Sequence, residues 1–255
     1  MADEKEKAVK PINVLTPDEA KFADYVRVRT EKTLGDIRAL AEEGNKDPEE
    51  WCRCFSYLGR TYGRDSDETF KWYKYYYRNG MIPKEVALDV LIQVYLTCSV
   101  DQGFANMLVK AVREMPEETR AQREKEMTDD LVGKYMEDDG TVKVYRGCFE
   151  RPFGTEDDRT RPIEKACAFS LDKNTAKKYA TMWFPEKAWI YEGRVKLSDI
   201  AYCSVYDEEK TIILIPQCKG GQWTIENTEE VPESEYGSED EKKEARADYV
   251  AAFKH

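Results

Sequence analysis

At 255 residues, 41% of them hydrophobic, the chain is long enough for one large domain or two modest ones, each with a buried core. Its 51 Asp and Glu outnumber its 40 Lys and Arg, and a net charge of −11 argues against broad, unspecific nucleic-acid binding, because phosphates are repelled at long range. The single histidine is the last residue, His255, which all but excludes a His-ligated zinc site and any Ser-His or Cys-His nucleophile pair.

Residues 1–15 are charged and without period, and read as a flexible arm. Residues 16–138 read as a helical domain. Thr16-Pro17-Asp18-Glu19 is a helix start, followed by Phe22, Tyr25, Val26, Leu34, Ile37 and Leu40 near helical spacing. Asp47-Pro48 opens a second helix with Trp51, Phe55, Leu58 and Tyr62 on one stripe, stopped by Gly63. Ser66 caps a third, in which Phe70, Tyr73 and Tyr77 are expected in the core and Trp72, Tyr75 and Tyr76 on other surfaces. Interleaved with Lys71, Lys74 and Arg78, those aromatics have the composition of a single-strand nucleic-acid binder as well as that of a packed helix. Pro83 opens a fourth helix, whose apolar residues Val86, Leu88, Val90, Leu91, Val94, Tyr95 and Leu96 span too wide an arc for a surface helix. Segments 104–115 and 117–136 complete the helical half.

After Gly140 the period changes. Strands are expected at Val142–Tyr145, Ala166–Ser170, Trp189–Val195, Lys210–Pro216 and Trp223–Ile225, with a helix over Asn174–Trp183. Residues 139–228 form a second domain in this reading. Residues 229–255 read as an acidic C-terminal tail; nine carboxylates face two lysines over 226–244, whereas 141–225 hold fourteen Lys and Arg against twelve Asp and Glu. The seven cysteines are scattered and sit in apolar surroundings, as small core residues rather than a disulfide framework. No stretch approaches the roughly 18 apolar residues of a membrane span, and the start MADEKEKAVKP has no export core. A soluble, cytoplasmic protein without metal or membrane partner is expected.

Three segments of the second half fall in a definite order. They are Val144-Tyr145-Arg146-Gly147, then Phe169-Ser170-Leu171-Asp172 with Thr175 to Ala180, then Asp207-Glu208-Glu209 before the apolar run 210–216. This order resembles the ADP-ribosyltransferase superfamily of the arginine-serine-glutamate class, and toxin-like mono-ADP-ribosyltransferases in particular. The resemblance covers about a third of the chain. It implies an α+β protein: an all-helical region, then a compact β-rich domain of two small packed sheets with a flanking helix. It also implies NAD as substrate and a macromolecular acceptor, with protein as the default and RNA or DNA as an alternative. A toxin or effector of this kind would have a neutralising partner.

The chemistry explains the residue types. Breaking the bond between nicotinamide and ribose spreads positive charge over the sugar, which a nearby carboxylate stabilises. The resemblance gives that role to Glu209, and makes Arg146 and Ser170 the other catalytic residues. Arg146, Gly147, Ser170, Tyr145 and Tyr179 would bind NAD, with Trp183 and Phe184 as further stacking residues and Gly147 admitting the dinucleotide close to the backbone. Tyr202, Tyr206 and Asp207, in the segment before the glutamate, would recognise the acceptor. The polar segment 149–165 between the first two motifs holds Arg159 and Arg161, which suit either phosphate contact or surface solvation.

The third motif departs from the family pattern. Strict alignment on the apolar run puts Thr211 where the family's glutamate stands. Sliding by two makes Asp207 and Glu209 an acidic pair on one face of an extended chain. With Thr211 in the glutamate's place, the domain reads instead as a non-catalytic interaction protein; with water as acceptor, it reads as an NAD glycohydrolase.

Overall fold

A computed structural model describes residues 17–98, 100, 103–150, 163–181 and 187–236. The chain is α+β and divides into two compact units, Met1–Ser99 and Val100–His255.

The first unit holds four helices: α1 (Pro17–Glu42), α2 (Pro48–Tyr62), α3 (Glu68–Arg78) and α4 (Ala87–Thr97). Their starts follow local chemistry. The Asp47 carboxylate accepts from the Glu49 amide at 2.9 Å with Pro48 at the first position of α2, and the Ser66 hydroxyl accepts from the Glu68 amide at 3.2 Å. Helix α4 buries Ala87, Leu88, Val90, Leu91, Ile92 and Val94, the wide apolar arc expected of a central helix, although Leu96 at its end is exposed. Around it lie Trp51, Phe55 and Leu58 of α2 and Phe70, Tyr73, Tyr76 and Tyr77 of α3.

Two expectations fail here. Tyr76 is buried, because the α3 face packed inward is wider than the 70–73–77 stripe, and Trp72 is half-buried with its indole N–H donating to the Tyr62 hydroxyl at 3.2 Å. Only Tyr75 of those three aromatics is exposed. At the other end, Phe22 and Tyr25 of α1 are exposed, and the helix contributes Leu34, Ile37 and Leu40 to the core instead.

The second unit begins with α5 (Phe104–Glu114) and α6 (Glu117–Leu131), which the sequence assigned to the helical half. The reason is packing. Leu131 is fully buried in one cluster with Val142, Val144, Phe169, Val195, Ile212, Leu214 and Trp223, and Met127, Tyr135 and Met136 pack against the same cluster. The end of α6 and the turn after it are therefore part of the sheet's core, and a boundary at 138/139 would cut through it.

The strands are β1 (Thr141–Glu150), β2 (Ala168–Ser170), β3 (Lys187–Lys196), β4 (Ile200–Cys203), β5 (Thr211–Leu214) and β6 (Thr224–Glu230), with α7 (Lys173–Thr181) between β2 and β3. They form one antiparallel sheet in the order β4-β5-β2-β1-β3-β6, not two small packed sheets. The long β1–β3 ladder runs unbroken from Thr141↔Lys196 to Glu150↔Lys187, and the three residues of β2 bridge it to β5, so hydrogen bonding is continuous from edge to edge. Strand β6 carries the chain to Glu230, past the expected start of the acidic tail. Among the described residues no helix is long and apolar enough to cross a membrane, and no cluster of three His, Cys, Asp or Glu is placed to hold a metal ion.

Candidate functional site

The three motif segments lie on β1, β2 and the turn into β5, which are neighbours in the sheet. Alternation along β1 sorts their side chains. Successive residues of a strand point to opposite faces, and antiparallel register partners share one. Tyr145 is the partner of Ser170, and Ser170 of Thr211, so these three share a face. Tyr202 of β4 pairs with Ile213, two residues along β5 from Thr211, and joins them. A row of four hydroxyl-bearing residues thus crosses β1, β2, β5 and β4. Burial holds the Tyr145 and Tyr202 phenols above their ordinary pKa.

Arg146 points the other way. It is not the last residue of its strand, since β1 continues for four residues beyond it. Its guanidinium donates to the Ala168 carbonyl and lies over the Phe169 ring, 5.8 Å from the centroid, so it grips β2 from the face opposite Ser170. Gly147 returns to the first face, where α7 lies directly against it. A Cβ at this position would stand 1.9 Å from the Ala176 carbonyl oxygen and 2.7 Å from the Ala180 nitrogen. The close approach that requires glycine here is that of a helix backbone.

Ser170 connects the second and third motifs. Its hydroxyl donates to the Glu209 carbonyl oxygen at 2.7 Å and accepts from the Asp172 amide at 3.0 Å. Asp172 then caps α7, accepting from the Asn174 amide at 2.7 Å and the Thr175 amide at 3.1 Å. Those amide hydrogen bonds, together with Lys210, hold its carboxyl below the usual carboxylate range. The Lys210 ammonium lies 3.3 Å from it, with its own pKa raised by the pairing. The start of α7 and the turn into β5 are thereby clamped together.

That turn is not the extended pair that the slid register requires. Residues 205–209 bend and turn, the Lys210 amide donates to the Asp207 carbonyl at 3.3 Å, and the Asp207 carboxylate accepts from the Thr211 amide at 3.1 Å. Lys210 has a φ of 46°, the one positive value at a non-glycine among the described residues, and it breaks the alternation before Thr211 begins β5. Asp207 is therefore a turn-forming residue. Glu209 is exposed on the turn, with its backbone rather than its carboxylate against Ser170, and Thr211 is buried at 8% exposure as Ser170's partner in the sheet.

The remaining residues spread out. Tyr179 lies on α7, 39% exposed. Tyr206 is 82% exposed, and its hydroxyl donates to the Asp130 carboxylate of α6 at 3.0 Å. Trp183, Phe184, Arg159 and Arg161 lie outside the described residues. Three participants escaped sequence reading: strand β4, only four residues long at the sheet edge; the Asp172–Lys210 pair; and Asp130. For Asp172 the available signal was its place just before the helix expected from Asn174.

Comparison with family models, with curated proteins and with solved structures returns no match.

Proposed function

We propose that the second unit is an NAD-dependent mono-ADP-ribosyltransferase acting on a macromolecular acceptor, as a toxin or effector. The observation that carries this reading is the adjacency of the motif strands in the order β5-β2-β1, closed by the 2.7 Å hydrogen bond from the Ser170 hydroxyl to the Glu209 backbone. It gathers residues 39 positions apart in the chain where β2 ends and β5 begins, beside the middle of β1. In this reading the row of Tyr145, Ser170, Thr211 and Tyr202 supplies hydroxyls for the ribose. Glu209 supplies the carboxylate from the turn, where solvent exposure leaves it room to swing onto a bound sugar. Arg146 serves as a positioning residue that holds β2 through Ala168 and Phe169. Tyr206 and the 204–209 turn meet the acceptor. A protein acceptor is favoured over nucleic acid, because burial of Tyr73, Tyr76 and Tyr77 leaves Tyr75 without a second exposed aromatic of its helix to continue a stacking platform.

One observation favours a second reading, a non-catalytic interaction protein on the same fold. Thr211, not a carboxylate, is the residue paired with Ser170. Nicotinamide release from NAD by the purified chain separates the two. The parent is expected to turn over, and Glu209→Gln to lose about 10²-fold or more, the scale of removing one preorganised electrostatic group. No release with any extract added sinks the enzyme reading; undiminished release by Glu209→Gln sinks the residue assignment. Labelled NAD in a cell extract, followed by separate protease and nuclease digestion, identifies the acceptor. Release of nicotinamide with no label on macromolecules marks a glycohydrolase.

A further inference from the structure

We propose that a cleft between α1 and α2 binds a small organic phosphate carrying free hydroxyls, of the sugar-phosphate or nucleotide class. The cleft encloses about 360 Å³ and is lined by Arg29, Lys32, Thr33 and Asp36 of α1 and by Tyr57, Arg60 and Thr61 of α2. The spacings i, i+3, i+4, i+7 on α1 and i, i+3, i+4 on α2 put each set on one helix face. The volume lies at the small-ligand end of the range for binding pockets, about 300–1,000 Å³.

Charge is the first argument. Three cations and one carboxylate line the cleft, in a chain whose net charge is −11. Two other cations of these helices are neutralised locally: Arg27 pairs with Asp24 at 2.7 Å and Glu31 at 3.2 Å, and Arg53 pairs with Glu50 at 3.6 Å. None of the ion pairs among the described residues includes Arg29, Lys32 or Arg60. The Arg29 guanidinium donates to the Tyr25 hydroxyl and lies 5.2 Å from that ring's centroid, and Arg60 lies 5.9 Å from the centroid of Tyr57; both contacts leave further N–H donors of each fork suited to phosphate oxygens. Arg60 also suits the negative C-terminal end of α2, but Arg29 and Lys32 stand well inside α1, where the helix dipole offers no such reason.

The hydroxyl requirement comes from the acceptors. The Thr33 and Thr61 hydroxyls donate to the Arg29 and Tyr57 carbonyls at 3.0 and 2.8 Å, so their oxygens are left to accept. With the Asp36 carboxylate, they match the hydroxyls of a sugar beside its phosphate.

Calorimetric titration of the full chain at low salt with ribose 5-phosphate, inorganic phosphate and ribose tests this. Ribose 5-phosphate is expected to bind saturably and more tightly than inorganic phosphate, and ribose not to bind. The double variant Lys32→Glu/Arg60→Glu is expected to weaken ribose 5-phosphate binding by about tenfold or more, the loss of charge-assisted hydrogen bonds. Arg27→Glu/Arg53→Glu, with the same net charge, is expected to leave it unchanged, and Asp36→Asn to weaken ribose 5-phosphate but not inorganic phosphate. All these side chains are exposed, and far-ultraviolet circular dichroism checks each fold. The proposal is overturned by absence of saturable binding, by equal binding of the two phosphates, by equal loss in both double variants, or by a single-stranded oligonucleotide that competes more strongly as it lengthens. None of these outcomes depends on NAD turnover.

Discussion

Gly147 and Asp172 show how the roles of single residues depend on what lies opposite them. With Ala176 and Ala180 backbone atoms where its Cβ would be, Gly147 has no flexible neighbour to displace. Gly147→Ala is expected to destabilise the second unit by about 2–3 kcal/mol, the upper range for overpacking, as measured by urea denaturation. Asp172 makes a prediction about pH. Its native pKa is depressed by amide hydrogen bonds, so its stabilisation is complete above the ordinary carboxylate value of about 4 and is lost as pH falls through the lower native value. Asp172→Asn keeps the cap and removes the titration. Its unfolding free energy is expected to fall less steeply than the parent's below about pH 4, as read from denaturation curves across acid pH.

At the level of elements, α6 is governed by its last residue. Its sequence, Glu117 to Leu131, is almost wholly polar, and the helix buries only Leu131. Its buried anchor is therefore at its C-terminal end, while Arg120 near its start donates to the Val112, Arg113 and Met115 carbonyls. Leu131→Ala is expected to cost the second unit about 2–5 kcal/mol, because the cavity opens in the middle of the cluster with Phe169 and Trp223. Loss of a urea midpoint shift in this variant would place the core elsewhere. Strand β2 is similarly short but central. Three residues carry the ladder between β1 and β5, and Arg146 and Ser170 hold it from opposite faces.

For the whole molecule, the division at Ser99/Val100 has a direct consequence. A fragment starting at 139 lacks Leu131, Met127, Tyr135 and Met136, all of which pack in the sheet's core. Residues 100–255 are expected to unfold cooperatively in urea, and residues 139–255 to show a lower midpoint or no transition. Equal midpoints would return α5 and α6 to the helical half.

Local chemistry was enough for much of the architecture. Caps such as Asp47 and Ser66, the wide apolar arc of α4, the change of period after Gly140 and the apolar run before Pro216 each act over a few residues, and they placed most helices and five of the strands. The order Arg146, Ser170, Glu209 was legible too, and so was the α+β class. What the chain alone did not reveal depends on partners distant in sequence. The membership of α6 rests on Leu131 meeting Val142 and Trp223; the single sheet rests on β2 pairing on both edges; the use of Gly147 rests on α7 crossing it. The site divides in the same way. Residue types and spacing came from the sequence, but the placement of Arg146 and Ser170 on opposite faces, and of Thr211 rather than Glu209 beside Ser170, follows from strand register and from the left-handed turn at Lys210. A shift of one residue in register exchanges the faces of a strand, and register is decided by what the whole core can bury.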